Sequence, residues 1–129
     1  EYIESYKIKG VINRCGVITG PWQMGKADQG VIVLWVANHI FGKPLAYIGY
    51  GGSGKQVRDF IHIDDLFDLI ETQIKNLDKF NGEIFNVGGG IKNNISLLEL
   101  TNLCQKITGN KIDITSIKKD RANDIRIYV

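Results

Sequence analysis

Apolar positions along this chain switch between a spacing of two and a spacing of three to four, which predicts strands and helices in turn. Residues 2–9 read as the closing turns of a helix, with Lys7 and Lys9 near its end and Gly10 placed to stop it. Residues 11–18 form a β-branched strand, closed by Gly20-Pro21. The run from residue 31 to 41 is apolar at too many positions for periodicity to decide its state. Its flanks decide for helix: Asp28 is placed to cap the start, and Gly42 and Pro44 supply the stop.

Residues 45–48 make a short strand that enters a glycine-rich loop, and residues 57–63 return as a strand. Asp64 then caps a helix to about Leu77, with Leu66, Phe67, Leu69, Ile70, Ile74 and Leu77 as its buried stripe. A strand at 83–87 leads into Gly88-Gly89-Gly90. Ser96 and Glu99 form a capping box for a helix that buries Leu97, Leu100, Leu103, Cys104 and Ile107 and ends at Gly109. Ile112 and Ile114 mark another strand, and residues 125–129 begin one more. This alternation predicts an α/β architecture with a mostly parallel sheet. The chain opens inside a helix and stops on an apolar strand, so the expectation is a piece of a longer protein, truncated at both ends.

Composition narrows the function classes. With 43% hydrophobic and 23% charged residues, the 129-residue chain is ordinary globular material rather than a disordered segment. Sixteen Lys+Arg against 14 Asp+Glu leave +2, too balanced for a nucleic-acid partner. Cys15 and Cys104 lie far apart with no C-x-x-C pattern, which argues against a metal site and for reduced thiols in a cytoplasmic protein. The longest apolar run, residues 31–37, is far short of the roughly 20 residues a membrane span needs.

Gly49-Tyr50-Gly51-Gly52-Ser53-Gly54 satisfies G-x-G-x-x-G, and with Lys55-Gln56 it falls one residue from a P-loop. Both motifs need a helix N-terminus behind the glycines to meet the phosphate. Here the next segment alternates like a strand, and Gln56 replaces the hydroxyl that would hold magnesium. A hairpin-like turn is the better reading. The same caution covers Gly88-Gly89-Gly90.

Several segments together carry a resemblance. Residues 14–23, Arg-Cys-Gly-Val-Ile-Thr-Gly-Pro-Trp-Gln, resemble the strand and loop that follow the catalytic Tyr-x-x-x-Lys of extended short-chain dehydrogenases acting on nucleotide sugars. Residues 49–65 resemble that family's Gly-rich turn and its Arg-Asp-aromatic strand. Phe85-Asn86-Val87-Gly88-Gly89, the Ser96–Glu99 helix start and Arg121-Ala122-Asn123-Asp124 match later segments. Within the family, Asp28-Gln29-Gly30 and Gly54-Lys55-Gln56-Val57-Arg58-Asp59 are most similar to the branch that epimerises CDP-hexoses. No Tyr in the sequence has Lys four residues on, and the glycine fingerprint for NAD is absent.

The resemblance implies the last strands of a Rossmann-like parallel sheet plus a small C-terminal nucleotide-sugar-binding subdomain, over residues 1–129. It implies that the full-length enzyme, a homo-oligomer, binds NAD mainly through a half not present here. NAD takes a hydride from the sugar while the upstream Tyr takes the hydroxyl proton, and the hydride returns to the other face, at C2 in the CDP-hexose branch. This fragment alone would be inactive. Other members are 4-epimerases and 4,6-dehydratases. The rivals from other classes are a P-loop nucleotide module on Gly49 to Lys55 and a non-catalytic α/β domain.

Residue by residue, Arg58 matches the family arginine on the nucleotide diphosphate, where a guanidinium fork suits the geometry. Arg121 and Asp124 match the pair on the diphosphate and ribose, with a solvated loop as the alternative. Gln29 and Gly30 match phosphate contacts, and Asp28 is as well explained as a helix cap. Ala46 and Ile48 share one strand face and either sandwich the base or pack in the core. Cys15 takes the strand position beside the nicotinamide, although a buried, inert thiol is the better reading of it. Val17 stands where many relatives carry Asn, which leaves the sugar open. His62, Asp64 and Asp65 read as strand and cap residues, and His39 as a solvent-facing helix residue.

Overall fold

In the computed structural model, which describes residues 2–26 and 29–129, Gly16 divides what the sequence reads as one strand. Strand β1 (Ile12–Cys15) pairs in parallel with β5 (Ile84–Val87), whereas β2 (Val17–Thr19) pairs in parallel with β4 (Val57–His62). The Gly16 amide donates to the Val87 carbonyl at 2.8 Å, closing the first ladder where the chain changes partner. The first helix, α1 (Tyr2–Tyr6), stops earlier than Gly10, because Lys7 already takes a left-handed conformation at φ 56°.

Helix α2 (Val31–Phe41) forms where its flanks predict it. Its cap position is Gly30, at φ 71°, and Gly42 ends it in the same left-handed conformation. The expected cap, Asp28, lies outside the described residues. Strand β3 (Leu45–Ile48) pairs in parallel with β7 (Ile114–Ile117), which starts two residues later than Ile112. Because β3 and β4 belong to different sheets, the glycine loop between them is a crossover and not a hairpin.

Helix α3 (Ile63–Lys75) begins one residue before Asp64 and is capped by His62, whose Nδ1 accepts from the Asp64 amide at 3.3 Å. Asp64 and Asp65 instead sit in its first turn, where the positive end of the helix dipole favours them. Of its predicted stripe Leu66 is buried, but Phe67, Ile70 and Ile74 are exposed, and Leu77 belongs to the short helix α4 (Leu77–Phe80). Gln73 is buried instead, and its amide exchanges two hydrogen bonds with Asn13, at 2.7 and 2.9 Å.

The strand β6 (Asn94–Ser96), unforeseen in the sequence, runs antiparallel to β4 ahead of helix α5 (Leu97–Thr108). The α5 capping box is complete: Ser96 Oγ accepts from the Glu99 amide and the Glu99 carboxylate accepts from the Ser96 amide. On α5, Leu100 and Cys104 are buried, while Leu103 and Ile107 are exposed. The last strand is only β8 (Ile127–Tyr128), parallel to the start of β4. Among the described residues every strand pair but β4–β6 is parallel, so the α/β expectation holds.

The core lies between α2, α5 and β3, around Trp35, Leu45, Leu100 and Cys104. Trp35 stacks on Tyr47 at 5.9 Å, and both converge on Thr101 Oγ1. That hydroxyl gives its one proton to the Leu97 carbonyl, so it accepts from Trp35 Nε1–H and the Tyr47 hydroxyl must be the second donor. Burial pushes the Cys104 thiol pKa up, which makes it an inert packing group. His39, expected in solvent, is fully buried. Its Nδ1–H bonds the Trp35 carbonyl one turn back at 2.7 Å, and Asn110 donates to the His39 carbonyl from beyond the end of α5.

Candidate functional site

A cavity of about 750 Å³ opens beside this core, inside the range of roughly 300–1,000 Å³ common for small-molecule sites. The N-terminal half of α2 contributes Val31, Ile32, Leu34 and Trp35, and β3 contributes Leu45, Ala46 and Ile48. Val17, Ile95 and Leu97 extend the apolar wall, and Gln29, Gln56, Thr115, Arg58, Arg121 and Asp124 supply the polar groups. Ala46 and Ile48 both reach the lining because alternate residues of a strand share one face. Thr115, the register partner of Ala46 on β7, lines the cavity beside it.

Local hydrogen bonds set the approach to α2. Lys26 and Gln29 bond each other's backbones at 2.7 and 3.2 Å, and the Gly30 carbonyl accepts from the Leu34 amide at 2.9 Å. Gly25 packs so closely that a Cβ there would stand 2.6 Å from the Leu34 nitrogen. Gln29 and Gly30 are thereby brought to the cavity rim.

The charged groups come from the middle of the chain and from its last ten residues. Arg58 donates through Nη2 to Asp124 Oδ1 at 2.6 Å and through Nη1 to the Val57 carbonyl at 2.8 Å. Gln56 is buried at 6% exposure, and its Nε2 donates to the Ile48 carbonyl at 2.5 Å. The glycine loop meets a helix only through a carbonyl, Gly54 O accepting from the Leu98 amide of α5 at 2.8 Å, and its other residues bond the β7 end and the 120–124 segment. Gly49 N–H reaches the Ile117 carbonyl at 2.8 Å, and Ser116 Oγ donates to the Gly52 carbonyl. This disposes of the P-loop reading.

The second glycine run is equally occupied. Buried Asp59 accepts from the Gly90 amide at 2.9 Å, and a Cβ on Gly89 would stand 2.0 Å from the Phe60 carbonyl oxygen. The chain then enters β6, so no helix N-terminus follows these glycines either. Among the described residues no three His, Cys, Asp or Glu side chains group as metal ligands, and no helix is long and apolar enough to cross a membrane.

All seven residues expected at a nucleotide sugar line this one cavity: Gln29, Gly30, Ala46, Ile48, Arg58, Arg121 and Asp124. Cys15 does not line it and is exposed on β1, which corrects the preferred reading of it as a buried thiol. Trp35, Asn38, Thr115 and Gln56 also line it and were not expected at the ligand in the sequence. Of these only Gln56 carried a signal, as a member of the Gly54-Lys55-Gln56-Val57-Arg58-Asp59 segment.

The sequence profile of the NAD dependent epimerase/dehydratase family matches residues 1–88, more than half of the chain. The chain belongs to that family. Within the family it is 32% identical to the CDP-paratose 2-epimerase of Salmonella typhi, over the whole of this chain and 38% of the relative. It is 30% identical to a UDP-glucuronate 4-epimerase of Thermodesulfobacterium geofontis, over 85% of this chain and 31% of that protein. The chain therefore spans well under half the length of these family members. Among solved structures, the UDP-glucuronic acid 4-epimerase of Bacillus cereus, in complex with UDP-glucuronic acid and NAD, superposes with a TM-score of 0.80 at 25% identity. It covers 98% of this chain and 37% of that one. The Thermus thermophilus UDP-glucose 4-epimerase superposes at 0.82 with 24% identity, covering 99% of this chain and 40% of that one, which shows the shared fold.

The family implies NAD. Among the described residues, both glycine runs lead into strands and bond their own chain, and Cys15 offers a single exposed thiol. That set does not fit a dinucleotide.

Proposed function

We propose that residues 1–129 are the nucleotide-sugar-binding region of an NAD-dependent sugar epimerase that acts on a CDP-hexose at C2. The observation that carries this reading is the convergence of Gln29, Gly30, Ala46, Ile48, Arg58, Arg121 and Asp124 on one cavity. Two guanidinium groups beside an apolar slot suit an anionic diphosphate joined to a flat base. Arg58 and Arg121 neutralise the diphosphate, Asp124 accepts from a ribose hydroxyl, and Ala46 and Ile48 flank the base. Gln29 and Gly30 offer polar groups to the phosphates at the start of α2. These contacts hold the nucleotide while the sugar extends toward the reacting groups.

The choice of CDP over UDP rests on the likeness to the Salmonella typhi enzyme. NAD, when bound by the full-length protein, supplies the hydride acceptor, and the full-length protein assembles as a homo-oligomer in the cytoplasm. The test is incubation of full-length protein with NAD and either CDP-hexoses or UDP-hexoses, following epimer ratios by NMR. Interconversion at C2 of a CDP-hexose is the expected result. Turnover of UDP-sugars alone, or reaction at C4, overturns the proposed substrate, and loss of water from the sugar overturns the proposed reaction.

A further inference from the structure

The glycine loop gives up phosphate binding in this fold, and Tyr50 inside it takes on another task. Its backbone N–H donates to Asp120 Oδ1 at 2.5 Å, and its hydroxyl donates to the Asp124 carbonyl at 2.6 Å. One residue thus grips both ends of the short segment that carries Arg121 and Asp124 to the cavity. The grip needs an unusual backbone. Tyr50 sits at φ 49°, a conformation that few non-glycine residues adopt, between Gly49 at φ 81° and Gly51 at φ 75°. A Cβ on Gly49 would come within 3.2 Å of the same Asp120 oxygen. Tyr50 does not itself line the cavity.

We propose that Tyr50 is a positioning residue: it holds residues 120–124 so that Asp124 meets Arg58 and Arg121 faces the bound diphosphate. The inference rests on the nucleotide-sugar reading above. It explains why a loop shaped like a phosphate cradle bonds protein groups. The loop serves the anion at second hand, by setting the segment that touches it. Asp124 Oδ1 is 2.6 Å from Arg58 Nη2, so releasing the Asp124 backbone loosens the guanidinium as well.

The test compares CDP with cytidine by calorimetry on full-length protein, because only CDP carries the diphosphate. Tyr50→Phe removes the hydroxyl bond and keeps the ring. It should weaken CDP binding about three- to tenfold, the usual worth of a single hydrogen bond, and weaken cytidine binding less, because cytidine keeps only the Asp124–ribose contact, with the melting temperature unchanged. Asp120→Ala, which cuts the other tether from the opposite side, should give the same pattern. In an Arg58→Ala background Tyr50→Phe should cost markedly less, since the group it positions is gone. Equal losses for CDP and cytidine, or unchanged CDP affinity in both Tyr50→Phe and Asp120→Ala, overturn the inference. If Arg58→Ala alone binds CDP like the unaltered protein, the nucleotide-sugar site itself is overturned, and the role of Tyr50 with it.

Discussion

Arg58 Nη2 and Asp124 Oδ1 meet at 2.6 Å although 66 residues separate them in the chain. Both side chains are about three-quarters buried, at 22% and 24% exposure, so water screens the pair less than it would at the open surface. The pair joins the central strand β4 to the segment before β8, and it sets the plane of the guanidinium at the cavity wall.

Replacing Arg58 therefore acts on ligand binding first. A charge-assisted hydrogen bond contributes roughly 1.5–3 kcal/mol, so Arg58→Ala should weaken CDP binding by about tenfold to a hundredfold. Arg58→Lys should recover only part of this, because an ammonium keeps the charge without the fork. Calorimetry of CDP binding to the three full-length proteins measures both effects. NAD affinity should stay the same in all three.

Thr101 carries the polar centre of the core. Thr101→Val leaves Trp35 Nε1, on a side chain 3% exposed, without its acceptor and releases the Tyr47 hydroxyl. An unmatched buried donor costs about 1–3 kcal/mol, which should appear as a lower urea midpoint. Thr101→Ser keeps the hydroxyl and should lose much less. Equal losses in the two variants would show that the methyl, and not the hydroxyl, matters.

The α5 capping box makes stability depend on pH. The Glu99 carboxyl is held below the usual carboxylate range, first by the Ser96 hydroxyl and then by the Ser96 backbone N–H. Its contribution is full above the ordinary carboxylate pKa, where folded and unfolded chains are both ionised. As pH falls the unfolded chain takes up the proton first, and the contribution is lost down through the folded value. Melting curves between pH 7 and pH 3 should fall more steeply for the natural chain than for Glu99→Gln. Parallel curves would contradict this.

Two adjacent glycines should respond very differently to alanine. At Gly89 the added Cβ would stand 2.0 Å from the Phe60 carbonyl oxygen, backbone against backbone, and β4 has to shift. At Gly90 it would enter open space, with only the left-handed φ of 67° to resist it. Gly90→Ala should cost about 1–2 kcal/mol, and Gly89→Ala more than about 3 kcal/mol. Urea unfolding of both variants gives the comparison.

The α/β order, the α2 and α5 spans and the α5 capping box were legible because each rests on local chemistry. Gly42 and Gly109 stop helices by adopting left-handed conformations whatever packs around them. The failures concern partners. Nothing local in residues 11–18 tells that the strand leaves β5 for β4 at Gly16. His39 looked like a surface residue because α2 is apolar on most sides, and its burial is decided by α5 and Asn110, which arrive much later in the chain. The stripe on α3 was read as buried, yet Phe67 and Ile74 are about two-thirds exposed, since periodicity marks a face without naming the layer that covers it. At the site, family likeness brought the charged residues together. Trp35 and Asn38 escaped notice because lining a cavity leaves no motif.

Among the described residues strand β3 has β7 as its one ladder partner, and the bond from Thr115 Oγ1 to the Leu45 carbonyl spans 70 residues. That spacing is also a delay. At roughly 5–20 residues per second, synthesis of this stretch takes on the order of 4–14 s. Throughout that time Leu45 and Tyr47 belong to an unpaired strand, open to any neighbouring chain with a free edge. The cavity lined by Ala46 and Ile48 thus comes into being only after β7 has been made, and a ligand can protect β3 only once that period of exposure has passed.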